Sequence, residues 1–301
     1  MKCLIVGASG QVGGQLAQIC EEQGIDWHGT ACRQLNVGYA PLDIRDPAAV
    51  RTLILGVGPS VVFLPAAMTH VDYAEKNPNE CWSVNVAGTT SVARVVRELG
   101  ARLVFFSTDH VFGECDRPML EDDRVEPQSV YARSKVAAEE RIRDLLPDSH
   151  LILRTSWVFG PEQQGKNFVY RTVRTLGGGE HLTVPADQWG QPTYSPDLAS
   201  AALDLVRFGV TGTFHVVGPT RLTRLAHARL IARLFELDPE LIVAPPTSEL
   251  RQSAPRPLRV WLATEKVQRV LGREPIRSPE SALRSLRDTM LHERILSSAC
   301  L

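Results

Sequence analysis

The sequence predicts a doubly wound α/β fold, a parallel sheet covered by helices on both faces, on three observations along the 301-residue chain. Short apolar segments alternate with helix-length segments through the first half. Two of the apolar segments, Cys3-Leu4-Ile5-Val6 and Leu103-Val104-Phe105-Phe106, run without polar alternation, as strands do when helices cover both faces. The first of them runs straight into a glycine-rich turn.

In order, the strand patterns are Lys2–Val6, Asp26–Thr30, Ser60–Leu64, Arg102–Ser107 and Leu151–Thr155. Helical patterns lie between them over Gln11–Gln23, Pro47–Leu55, Glu80–Leu99 and Val130–Leu146. Strand, helix and parallel strand in succession make crossover units. Past Thr155 the character changes. Gly and Pro become frequent (Gly177-Gly178-Gly179, Pro192, Pro196, Pro219, Pro245-Pro246), and the strand-like pieces thin out to His181–Val184 and Thr213–Val217. The expected division is a dinucleotide-binding core over 1–155. Residues 156–301 are expected to form mainly a smaller substrate-binding lobe, with segments returning to the core. Such a lobe would close over the carboxyl ends of the strands, where open α/β sheets bind ligands.

Bulk properties narrow the function. With 44% hydrophobic and 22% charged residues and a formal net charge of -1, the chain has ordinary globular composition. It lacks the basic excess expected of a nucleic-acid partner or a polybasic membrane anchor. The longest apolar runs, such as Val61 to Ala67, are too short to span a bilayer. The amino terminus enters a strand pattern at once, with no separate signal-peptide segment, so a cytoplasmic location is expected. Cys3, Cys20, Cys32, Cys81, Cys115 and Cys300 show no ligand spacing and read mostly as buried free thiols. Glu121-Asp122-Asp123 has no companion ligands nearby, and His181, His215 and His227 lack metal spacing, so no catalytic metal is expected.

The first strand is followed by Gly7-Ala8-Ser9-Gly10-Gln11-Val12-Gly13 and then a helix. Glycines there let the backbone turn tightly and approach a pyrophosphate, and the helix offers its free N–H groups and positive end to that anion. The second strand ends Gly29-Thr30-Ala31-Cys32-Arg33, with an arginine where an NAD-binding site places a carboxylate. Arg33 suits a 2′-phosphate, so NADP(H) is preferred, with NAD(H) possible. Asp43 suits either the adenine amino group or a helix cap before Pro47.

Tyr131-Ala132-Arg133-Ser134-Lys135 opens a helix, and its i, i+4 spacing puts Tyr131 and Lys135 on one face. A neighbouring ammonium favours the phenolate and would bring the tyrosine from about 10 toward working pH. The pair then makes an acid–base unit, and the lysine can also hold a nicotinamide ribose. Before it, the strand ending Ser107-Thr108 brings hydroxyls to a carboxyl end, where Thr108 can hydrogen-bond a substrate carbonyl.

Taken together these stretches resemble the extended short-chain dehydrogenases/reductases, and among them the dTDP-4-dehydrorhamnose reductase family, nearly end to end. The resemblance also rests on Ala66-Ala67-Met68-Thr69-His70-Val71-Asp72 with Glu75, on Asn85, and on Ser107 through Gly113. Glu121, Asp123, Pro127, Arg154 through Phe159, Asn167-Phe168 and Arg256-Pro257 add to it. It implies hydride transfer from a nicotinamide to a sugar 4-keto carbon, with Thr108, Tyr131 and Lys135 carrying catalysis. Gly7, Gly10, Gln11, Val12, Gly13, Arg33, Asp43, Ile44, Ala66, Ala67, Met68 and Thr69 would form the cofactor site with Tyr131 and Lys135. Thr108, Asp109, Trp157, Asn167, Phe168 and Arg256 would contact the nucleotide sugar. A homodimer is expected by analogy with the superfamily.

The chain departs from the family pattern at Ala132 (usually Gly), Ser129 (often Asn), His110 (usually Tyr) and His70 (usually small), and both histidines are expected near the substrate mouth. The regulatory beta subunit of methionine adenosyltransferase resembles the same reductases, so a non-catalytic NADP-binding subunit is an alternative that turnover would exclude. A sugar-nucleotide epimerase would hold NAD tightly, against which Arg33 argues. A 4,6-dehydratase would show Thr-Asp-Glu, where this chain has Thr108-Asp109-His110.

Overall fold

The structure is a computed structural model that describes residues 1–32 and 38–292. Its first half runs β1 (Lys2–Val6), α1 (Gln11–Glu22), β2 (Asp26–Ala31), β3 (Ala40–Pro41), α2 (Pro47–Val57) and β4 (Val61–Leu64). It continues through α3 (Val71–Lys76), α4 (Pro78–Trp82), a π-helical turn (Ser83–Gly88), α5 (Thr89–Leu99), β5 (Arg102–Thr108), α6 (Val130–Leu145) and β6 (His150–Thr155). The second half adds β7 (Val158–Phe159), α7 (Phe168–Gly177), β8 (Leu182–Thr183), β9 (Trp189–Gly190), β10 (Thr193–Tyr194), α8 (Ser195–Arg207) and β11 (Gly212–His215). After these come β12 (Leu222–Thr223), α9 (Arg224–Leu234), β13 (Ile242–Val243), α10 (Glu265–Leu271) and α11 (Pro279–His292).

Seven strands form one parallel sheet in the order β11-β6-β5-β4-β1-β2-β3. The direction of winding reverses between β1 and β4, so the crevice that receives ligands opens above the carboxyl ends of these two strands and of β5. Alternate residues of β1 explain its unbroken apolar run. Cys3 and Ile5 face a core layer with Leu16 of α1 and Leu198 of α8, while Leu4 and Val6 face the opposite layer with Ile54 of α2, Val92 of α5 and Ala138 of α6. Both faces are buried, as the sequence pattern requires.

Thr213–Val217 is represented by β11, a segment of the second half that adds to the main sheet beside β6 in the register Phe214↔Leu153. The structure departs from the sequence reading in two places. The helix expected over Glu80–Leu99 begins earlier, at Pro78, and is interrupted by the π turn. There Thr90 and Ser91 turn their hydroxyls back onto the carbonyls of Val86 and Ala87, at 2.7 and 3.1 Å, absorbing the altered backbone register. The strand expected over His181–Val184 shrinks to β8, paired only with the two residues of β13. Of the six cysteines, Cys3, Cys20, Cys81 and Cys115 are buried free thiols and Cys32 is an exposed one, while Cys300 lies outside the described residues. No helix of the described residues is long and apolar enough to cross a membrane.

Candidate active site

The turn between β1 and α1 depends on two glycines. Gly7 adopts a φ of +99°, a conformation that disfavours side chains. A Cβ on Gly13 would stand 2.2 Å from the Gly7 carbonyl oxygen. Gly10 caps α1 without any side-chain hydrogen bond, so among the described residues no side chain caps the first N–H groups of this 12-residue helix. A backbone brought this close, with its donors and the positive end of the helix dipole exposed, fits a dinucleotide pyrophosphate. Three side-chain amides bridge this turn to the second half: Gln11 and Gln15 donate to Gly160 and Pro161 carbonyls, and Gln164 donates back to Ser9.

Ala66 lies directly against Gly7, and Ala67, Met68 and Thr69 continue along the loop after β4. Asn85, in the π turn, clamps that loop by accepting from the Met68 N–H at 2.8 Å and donating to the Met68 carbonyl at 3.1 Å. It also donates to Ser134, whose hydroxyl donates to the Tyr131 carbonyl, so one buried amide ties the loop to α6. Val12 and Ile44 pack into the two core layers. Asp43 accepts a bidentate bond from Arg45, while the cap before Pro47 is Asp46, which accepts from the N–H groups of Ala48 and Ala49. Arg33 lies outside the described residues.

Tyr131 and Lys135 project from the first turns of α6. That helix is capped by Ser129 through the Ala132 N–H, and Glu75 accepts from the Val130 N–H at 2.8 Å. Serine at the departing position 129 is thus a good cap. Both side chains are buried. Burial pushes the Tyr131 phenol above its ordinary range, only partly offset by a hydrogen bond with Thr108. This reverses the expected lowering by the ammonium: the Lys135 Nζ donates to the Phe106 carbonyl at 2.6 Å and sits 4.0 Å over the Phe105 ring. Burial draws Lys135 down to about 7, against the opposing pull of Glu139. Thr108 ends β5, accepts from the His110 N–H and donates to Asp109 at 3.1 Å. Thr108, Tyr131 and Lys135 therefore converge at one edge of the crevice.

Across it lies an aromatic and cationic wall. Trp157 adopts a φ of +44°, a strained conformation for a bulky residue, with Gly190 seated so close that a Cβ there would lie 2.3 Å from the indole. His227, buried and drawn down to about 3 by burial and the charge of Arg224, stacks on the Trp157 ring. Arg224 lies 3.4 Å from the Trp157 ring centre and 4.5 Å from that of Phe168. Burial and the nearby Arg171 lower Arg224 to about 9, which leaves it charged at neutral pH. Asp109 accepts from Ser156 at 2.5 Å, and His110 stands edge-on to Tyr131. Arg224 was not singled out in the sequence, since it lies in a segment without a local motif and meets Trp157 only where segments come together, and Ser156, within the Arg154–Phe159 stretch, was given no role of its own.

Two expected contacts, Asn167 and Arg256, and His70, expected near the substrate mouth, carry structural bonds as well. Asn167 caps α7 and donates to the Gly160 carbonyl. Arg256 is held by Asp72 at 2.6 and 3.0 Å. His70 is exposed and its ring caps α3 by accepting from the Tyr73 N–H. Among the acidic loop residues, Glu121 accepts from the His215 N–H and Asp123 pairs with Arg117.

A doubly wound parallel sheet, a glycine turn at its switch point and a tyrosine–lysine helix beneath the next strand end define the extended short-chain dehydrogenase/reductase class. Within it, the chain belongs to the RmlD substrate binding domain family, whose model matches residues 1–291. It is 34% identical to a dTDP-4-keto-6-deoxy-D-glucose reductase of Streptomyces niveus, over 93% of this chain and 94% of that protein. It is 35% identical to a dTDP-4-dehydrorhamnose reductase of Streptomyces griseus, over 93% and 91% of the two chains. A crystal structure of dTDP-4-dehydrorhamnose reductase from Bacillus anthracis in complex with NADP superposes with a TM-score of 0.86 at 30% identity, covering 96% of this chain and all of that one.

Proposed function

We propose that the protein is an NADPH-dependent reductase that converts a 4-keto nucleotide sugar of the dTDP-4-dehydrorhamnose type to the corresponding alcohol. The observation that carries this reading is the convergence of Thr108, Tyr131 and Lys135 at the end of β5, with Tyr131 packed against Met68 of the loop after β4, in a chain whose full-length relatives bear that activity in their names. The NADP complex of the Bacillus anthracis relative supports the choice of cofactor.

NADPH held on the Gly7–Gly13 turn and along Ala66–Thr69 would supply hydride to the carbonyl carbon. Thr108 would turn its one hydroxyl proton from Asp109 to the carbonyl oxygen, and Tyr131 delivers the proton that this oxygen needs. A phenol with a raised pKa keeps its proton at neutral pH, which suits a donor. Lys135 stabilises the phenolate left behind and binds the nicotinamide ribose. Asp109, Trp157 and Phe168 contact the nucleotide sugar, joined by Arg224, whose guanidinium makes no hydrogen bond with the described residues. A cytoplasmic homodimer completes the proposal, and sedimentation of the purified protein tests the assembly.

The functional test follows NADPH oxidation with a dTDP-4-keto-6-deoxysugar generated in place, beside NADH and a Tyr131→Phe variant. Turnover with NADPH that collapses in the variant is the expected result. NADPH binding without turnover on any 4-keto sugar nucleotide would overturn the reading in favour of a non-catalytic subunit.

A further inference from the structure

A buried charge cluster lies beneath Lys135, on the side away from the crevice. Glu139 sits one helical turn further along α6, is 1% exposed, and forms an ion pair at 2.8 Å with Arg154, itself 2% exposed, on β6. Arg154 approaches through two nitrogens, to Glu139 Oε1 at 3.1 Å and to Oε2 at 2.8 Å. Ser107 on β5 donates to Glu139 at 2.6 Å, and Arg143 on α6 donates at 2.7 Å. The third nitrogen of Arg154 donates to the Glu121 carbonyl. The cluster thus joins β5, β6, α6 and the loop before α6.

Such an arrangement is expensive to bury. Two ions taken out of water are a poor source of stability, since an apolar pair of equal volume usually serves as well. A fully buried carboxylate with three donors around it, one turn from the lysine of the site, suggests a purpose beyond folding. Among the described residues Lys135 has no carboxylate hydrogen bond of its own; its Nζ meets the Phe106 carbonyl and the Phe105 ring. Charged and titratable groups facing it are Glu139 and, one turn back, Tyr131 on α6, and Cys81 on α4. Those facing Glu139 are Arg154, Arg143 and Lys135, with His215 on β11 close enough to feel the pair and held neutral by burial. Lys266 on α10 adds a further positive charge near His215. Only Glu139 among these brings negative charge to the buried ammonium at neutral pH, since burial keeps the Cys81 thiol protonated.

We propose that Glu139, buried one turn along α6 and fixed by Arg154, Arg143 and Ser107, is a positioning residue whose fixed negative charge favours the ammonium of Lys135 beneath Tyr131. It touches neither substrate nor cofactor and acts through the lysine. The proposal rests on the assignment of Tyr131 and Lys135 to the reaction. Desolvation alone draws the ammonium toward neutrality, and the carboxylate supplies the opposing field. The sign follows: without Glu139 the lysine loses its proton at lower pH, so any step that needs the ammonium fails at lower pH.

The test compares wild type, Glu139→Gln and Glu139→Asp in two pH series: kcat for NADPH-dependent reduction, and the Kd of NADPH by fluorescence. In Glu139→Gln the alkaline limb of both series is expected to move down by roughly one pH unit or more, and Glu139→Asp to restore part of the shift. Because the single exchange leaves Arg154 buried and unpaired, Glu139→Gln/Arg154→Met provides a second folded background, expected to shift in the same direction. Alkaline limbs that coincide with wild type in a folded variant would overturn the proposal. The Kd series separates it from the catalytic assignment: a wild-type protein that binds NADPH but turns nothing over refutes the reductase reading, while the movement of its binding limb still decides the role of Glu139.

Discussion

Gly13 and Gly14 are neighbours on α1, both in helical backbone, yet alanine should act in opposite directions at the two positions. On Gly13 a Cβ would meet the Gly7 carbonyl oxygen at 2.2 Å, the Gly7 carbonyl carbon at 2.8 Å and Ala8 Cα at 2.9 Å. All three are backbone atoms of the turn, and the first lies more than an ångström inside ordinary contact. No side chain can swing away, so α1 must lift from the end of β1. Overpacking of this kind costs about 1–3 kcal/mol, with a backbone clash at the upper end. The helix itself gains about 1 kcal/mol from replacing glycine by alanine, leaving a net loss of about 2 kcal/mol. On Gly14 the new Cβ finds its nearest neighbour, the Ala8 carbonyl oxygen, at 3.6 Å. That is ordinary contact, and only the helix gain of about 1 kcal/mol remains.

Urea unfolding of the two variants beside wild type, with NADPH affinity measured on the same samples, checks both halves of the reasoning. Gly13→Ala should unfold at lower urea and bind NADPH at least about tenfold more weakly, because the displaced turn no longer presents its N–H groups to the pyrophosphate. Gly14→Ala should unfold at slightly higher urea and bind NADPH as wild type does. If Gly13→Ala proves as stable as Gly14→Ala, the packing of α1 on Gly7 is not what demands glycine there. If it is destabilised but binds NADPH normally, the turn is a structural joint and not the cofactor cradle.

Replacing Tyr131 by phenylalanine should lower kcat about 10²- to 10⁴-fold while NADPH affinity, by fluorescence titration, stays within a few-fold. Gly190→Ala drives a methyl group into the Trp157 indole, 2.3 Å from its ring, and should raise the KM for the nucleotide sugar about tenfold without moving the NADPH Kd; an unchanged KM would remove Trp157 from the substrate wall. Asp72 is pushed up by burial, but its bonds from Arg256 and the Ala254 N–H outweigh this and hold it below its ordinary value. A depressed carboxylate contributes stability that is full above its unfolded pKa and disappears as pH falls through the folded one. The stability gap between wild type and Asp72→Asn, measured by urea unfolding, should therefore be constant near neutrality and close below about pH 4.

What the sequence disclosed depended on how far along the chain each feature is determined. The apolar runs of β1 and β5, the turn from Gly7 to Gly13 and the spacing of Tyr131 to Lys135 are all set within a few consecutive residues, and each appears in the structure where the pattern puts it. The strain at Trp157 has its partner far along the chain, at Gly190, and the cation over its ring comes from α9. No window of sequence contains all three. Which segment of the second half returns to the core was illegible for the same reason: the four residues of β11 say nothing about which sheet they join, and its partner β6 lies on the far side of the whole Val158–Arg207 excursion.

The titration of the Tyr131 and Lys135 pair shows a second kind of limit. Spacing on a helix fixes which side chains are neighbours, and from neighbourhood alone an ammonium should lower a phenol. Which way a pKa moves also depends on the medium, and here both groups are buried, so desolvation dominates and drives each toward its neutral form, the phenol up and the ammonium down. That pattern suits reduction, since the phenol retains the proton it must give, but it leaves the lysine close to losing its own. The buried carboxylate of Glu139 lies four residues beyond Lys135 and was plain to see in the sequence as one more acid on an α6 pattern rich in charge. Its significance comes from Arg154 and Ser107 on two separate strands, which turn an ordinary helical glutamate into a fixed charge under the site.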